Sequence, residues 1–61
     1  MNEIPHIMSL KQAAVYLGIS EPTLKRRIQA REITAYKDGG YWKVKKEWAD
    51  DYQQSLIRRY S

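Results

Sequence analysis

Pro22, Thr23, Lys25, Arg26, Arg27 and Gln29 crowd into one short segment, and Lys37, Gly39, Gly40, Tyr41 and Lys43 follow in a second. Lysine and arginine donate to anionic oxygens, arginine pairs with the edge of guanine, and glutamine pairs with adenine. Glycines in the second segment let a backbone come close to a partner surface. The chemistry these types can do is recognition of a polyanion with readable edges rather than the making of bonds. A basic segment also serves as plain solvated surface, so the case depends on the elements that hold it.

Catalytic chemistry has little to work with. One histidine and no cysteine cannot assemble a nucleophile, a base and an orienting group. Asp50 and Asp51 are chain neighbours, about 100° apart on a helix, and flank no cleft. No glycine loop of the phosphate-cradling kind precedes a helix. No enzyme activity, no cofactor and no metal site is expected, since His6 stands without acidic or thiol companions and zinc needs at least three protein ligands.

The capping residues define two helices. Ser9 with Gln12 forms an S-x-x-Q capping box at the start of the first, and Gly18 is suited to end it in the left-handed conformation. Ser20 then caps a second helix, with Pro22 in its first turn, where a missing N–H costs nothing. Leu10, Ala13, Ala14 and Leu17 fall at i, i+3, i+4 and i+7 and make one apolar stripe. Its small residues admit a steeply crossing partner. On the second helix Leu24 and Ile28 point to the core, which turns Pro22, Lys25, Arg26 and Gln29 outward. Arg27 lies on the flank, where its stem can pack while its head reaches a phosphate or an acid.

From Glu32 to Lys45 the apolar period changes to two. Ile33 and Ala35 alternate with Thr34 and Tyr36, Trp42 and Val44 with Lys43 and Lys45, and Asp38-Gly39-Gly40 between them signals a hairpin. This predicts a small β-wing with Lys37, Gly39, Gly40 and Tyr41 at its tip and Lys43 close by. Trp42 is read as core, with base stacking as its alternative, because a chain without Phe takes its large apolar volume from Trp and Tyr. Trp48, Tyr52 and Leu56 form an i, i+4, i+8 stripe on a third helix from about Lys46 toward Arg58, with no good N-cap before it. Residues 1–7 read as a loosely held arm in which Ile4 or Ile7 is available to cover the core. Residues 56–61 read as a fraying tail, or as a contact for another protein.

Sixty-one residues hold one domain at most, without room for a deep pocket. The net charge of +4 favours a polyanionic partner, and the bases cluster in the second helix and the wing while Asp50 and Asp51 follow later. No apolar run approaches the roughly 20 residues of a membrane span, and the N-terminus lacks the features of a secretion signal. A cytoplasmic, nucleoid-associated location is the expectation.

These segments resemble the excisionase-type branch of the MerR-like winged helix-turn-helix family. The resemblance rests on Leu10–Leu17 with its alanine pair, Leu17-Gly18-Ile19-Ser20, Thr23-Leu24 with Arg26 and Ile28, Glu32–Tyr36, and Gly40 followed by Trp42-Lys43-Val44. It covers about residues 8–52 and implies a mainly α fold with a small β-hairpin, in the order α-α-β-β-α, occupying residues 8–55. The second helix would enter the major groove of double-stranded DNA and the wing would contact adjacent backbone or minor groove. The implied role is an excisionase, a recombination directionality factor of mobile elements that binds cooperatively, bends DNA and assists an integrase, contacted here through the C-terminal tail. A small transcription regulator or repressor with the same domain is the alternative, and a protein-interaction module a distant one. Two positions depart from the pattern: Arg31 stands where relatives usually carry Gly, and Trp48 falls about one residue early relative to the usual acidic-Leu entry into the last helix. Both bear on how the wing is placed.

Overall fold

The computed structural model describes residues 5–60. Its elements in chain order are β1 (Ile7–Ser9), α1 (Leu10–Leu17), α2 (Glu21–Gln29), β2 (Tyr36–Asp38), β3 (Tyr41–Lys45) and α3 (Lys46–Tyr60). This is a winged helix-turn-helix, with three helices around a three-stranded antiparallel sheet of order β1-β3-β2.

The local signals act as their chemistry requires. Ser9 Oγ accepts from Gln12 N at 3.1 Å while Gln12 Oε1 accepts from Ser9 N at 3.0 Å, so the capping box closes both ways. Gly18 ends α1 at φ 72°, a left-handed conformation that a Cβ would strain. Ser20 caps α2, accepting from Thr23 N at 3.2 Å. At the hairpin tip Gly39 and Gly40 both have positive φ, 60° and 85°, the signature of a two-residue type I′ turn whose twist matches the flanking strands.

The expected hairpin gains a strand and loses a stretch. Ile7, which the sequence reading places at the end of a loose arm, joins Met8 and Ser9 in a strand that pairs with β3 in the register Ile7↔Lys45, Met8↔Val44 and Ser9↔Lys43. Met8, not Ile7, is the core residue of that strand: Met8 is 1% exposed and Ile7 41%. Ile4 lies outside the described residues. Before β2, Ile33 and Ala35 alternate as read but join no ladder. Residues 32–34 instead line a cleft with Trp48, Asp51, Tyr52 and Ser55, so the chain runs along α3 before it meets β3. The missing N-cap of α3 also has an explanation. The helix follows β3 without a loop, and Lys46 N donates to the His6 carbonyl at 2.8 Å. The helix continues through Tyr60, so the described part of the expected tail is helical.

Met8, Ala13, Ala14, Leu24, Ile28, Ile33, Val44, Ala49 and Tyr52 are the buried core. Ala13, Ala14 and Ala49 let α1 approach α2 and α3 closely. Trp48 and Leu56, expected as the inner stripe of α3, are half-buried around Ala49 and Tyr52. Trp48 meets Tyr36 edge to face, at 6.0 Å between ring centres, and fixes α3 against the wing. Tyr16 donates to Asp50, which also accepts from Lys46 at 2.9 Å, and this clip joins α1 to α3. No described helix is long and apolar enough to cross a membrane.

Candidate nucleic-acid interface

With Leu24 fully buried and Ile28 7% exposed, the rotation of α2 is fixed. Pro22, Lys25, Arg26 and Gln29 consequently stand exposed on its outer face. Glu21 in the first turn and Arg26 and Arg27 in the last complement the helix dipole, so the cations sit where the helix itself favours them.

Within that face the residues are not equivalent. Ser20 Oγ donates to Thr23 Oγ1 at 2.8 Å, and Arg26 Nη2 donates to the same Thr23 oxygen at 3.4 Å. The cap of α2 thereby extends into a short chain that leads the Arg26 guanidinium toward the N-terminal end of the helix. Thr23 is half-buried and its hydroxyl is occupied, which makes it a residue that positions Arg26. Arg27 takes the acid of its two options: Nη1 lies 3.4 Å from Glu32 Oε1, and Nε is buried without a hydrogen-bond partner. The exposed Lys25 and Gln29 side chains make no hydrogen bond or ion pair among the described residues and are free to meet a ligand.

The wing presents two chemically different sides. Tyr36 pairs with Lys43, Lys37 with Trp42 and Asp38 with Tyr41. Directly opposed residues share a face and successive residues alternate. Lys37 therefore projects on the side of Trp42 and the core residue Val44, and Lys43 on the other with Tyr36. Lys37 Nζ sits 5.0 Å over the Trp42 ring, a cation–π contact that steadies an exposed lysine. Trp42 itself is half-buried against the core. At the tip Gly39 and Gly40 leave the backbone bare, with no heavy atom near the position a Cβ would take, and Tyr41 is 73% exposed.

Between the end of α2 and the wing opens a cleft of about 400 Å³ lined by Ile28, Gln29, Arg31, Ile33, Thr34, Ala35 and Trp42. Arg31 and Thr34 were not among the contact residues expected from sequence. The one available signal was the arginine in a place suited to glycine. Arg31 adopts φ 61°, the only positive φ on a non-glycine among the described residues. Its N–H donates to the Ile28 carbonyl at 3.0 Å and Glu32 N–H donates to the Arg27 carbonyl at 2.9 Å, the paired bonds of a Schellman stop. The turn after α2 thus keeps the geometry that glycine favours, with arginine carrying it.

A capped helix, a three-residue turn 18–20, a second helix with a basic outer face and a glycine-tipped ribbon beside it make the geometry of a duplex reader. No curated protein and no solved structure gives a significant match to the chain. The pattern of the helix-turn-helix domain, a DNA-binding module, matches residues 7–55, well over half of the sequence from β1 into α3, and the chain belongs to that family.

Proposed function

We propose that this protein is a sequence-specific double-stranded DNA-binding protein that acts as an excisionase, bending DNA near attachment sites to assist an integrase, and that it performs no catalysis of its own. The observation that carries DNA binding is the exposed row Pro22, Lys25, Arg26 and Gln29 on a helix whose opposite side is locked in the core by Leu24 and Ile28. The architectural role follows from reach. A nine-residue α2 is about 13 Å long, close to the width of the major groove at about 12 Å. One such helix and one wing cover a short site, so useful affinity requires several protomers side by side, and bent DNA brings their contacts together. On α3, exposed Ile57 and Arg59 offer a surface for the integrase.

The test uses tandem sites recovered from the element that encodes the protein. Cooperative binding, a bend measured by circularly permuted fragments, and stimulation of excision by the cognate integrase that disappears with Arg26→Ala are expected. Tight binding to one isolated site with a straight duplex, and repression of a promoter without effect on excision, would make the protein a transcription regulator instead.

A further inference from the structure

The left-handed Arg31 calls for an account, because a side chain there costs energy that glycine would not. A non-glycine residue in this region is disfavoured by the clash of its Cβ with the backbone, and a Schellman stop makes no use of a side chain. The Arg31 side chain is exposed and forms no hydrogen bond or ion pair with another described residue. Glu32, its neighbouring acid, is already engaged by Arg27 at 3.4 Å. Arg31 thus lines the cleft without a carboxylate partner. Gln29 and Thr34 bring further donors to the same walls, and the Trp42 ring carries Lys37 above it. One cation and two neutral polar side chains line a cleft that no carboxylate lines, and a second cation rests on the ring of one of its walls.

We infer that this cleft is a phosphate seat, with Arg31 as its cation and Gln29 and Thr34 as supporting donors, that holds the DNA backbone between the reading helix and the wing. The inference rests on the DNA-binding reading and adds a site to it. Arg31 is a planar fork suited to a phosphate, and it shares the cleft with Trp42 of the ribbon. The seat lies between Gln29 of α2 and Trp42 of the wing, so a single backbone strand can run from one element to the other.

The test measures binding of a short random-sequence duplex across a salt series by the wild type, Arg31→Gly, Arg31→Gln and Arg31→Lys. Arg31→Gly relieves the backbone, so its melting temperature should rise by about 4–8 °C while its DNA binding falls, opposite signs that a purely structural residue does not give. Arg31→Gln keeps the strained side chain without the charge. Both should lower the salt slope by about 0.9 and weaken binding roughly five- to tenfold near 0.1 M salt, whereas Arg31→Lys keeps most of the slope. Wild-type slopes in both neutral variants would overturn the seat and leave DNA binding intact. A changed base preference with an unchanged slope would make Arg31 a base reader and overturn it equally. A wild type with no salt-dependent duplex binding would remove the DNA-binding reading and the seat together.

Discussion

Arg26 and Arg27 are adjacent in sequence, identical in type and opposite in commitment. Arg26 is exposed and hangs from the cap chain through Thr23, whereas Arg27 is turned toward Glu32 with its Nε enclosed. An exposed pair of this length contributes no more than about 1 kcal/mol, so Arg27 serves the turn after α2 weakly and the ligand little. Replacing Arg27 by Ala should lower duplex affinity less than twofold and shift the denaturation midpoint slightly, as read by paired urea titrations and gel shifts. A large loss of affinity with an unchanged midpoint would show that the guanidinium leaves Glu32 for a phosphate on binding.

At the scale of elements, the wing is a ribbon with two sides, and its lysines need not act alike. Lys37 shares a face with Trp42, whose ring it covers, while Lys43 lies on the far side beside Tyr36. Lys37→Ala should weaken binding to all duplex sequences about equally and flatten the salt slope by roughly 0.9, with Lys43→Ala giving the smaller change. Salt titrations on two unrelated sequences decide this, and a shift in sequence preference would mean that the wing reads bases. The elements were also unevenly legible in the sequence. Ser9 with Gln12, Gly18, Ser20 and the Gly39-Gly40 turn act on residues within a few positions, so their types announce their structure. β1 exists because β3 offers Val44 a partner in Met8, a pairing across most of the chain that no local pattern records. The alternation of Ile33 and Ala35 reports burial correctly, but α3 rather than a strand lies beside it. The outer face of α2 was legible because Leu24 and Ile28 fix its rotation. The cleft was not, because it is made by two elements meeting.

For the molecule as a whole, a core built on three alanines and few large residues leaves a small domain dependent on its peripheral clips. The Tyr16–Asp50–Lys46 clip gives stability a defined pH dependence. Hydrogen bonds from Tyr16, then from Lys46, hold the Asp50 carboxyl below its ordinary range, while Asp50 raises both Tyr16 and Lys46. A lowered acid stabilises the fold above its unfolded pKa, and that contribution is lost as pH falls through the depressed folded value. The raised phenol and ammonium contribute fully below their unfolded values and lose their contribution as pH rises through the raised ones. Asp50→Asn should therefore flatten both limbs of a urea midpoint measured against pH. A variant with the wild-type acid limb would remove the clip from the account.

The central claim is that the outer face of α2 reads duplex sequence, and selection from a random duplex library tests it most directly. The wild-type protein should enrich one short motif, and Arg26→Ala, checked by circular dichroism to be folded, should enrich none, a lost base contact being worth about 1–3 kcal/mol. A folded Arg26→Ala protein that enriches the wild-type motif with undiminished strength would contradict the claim.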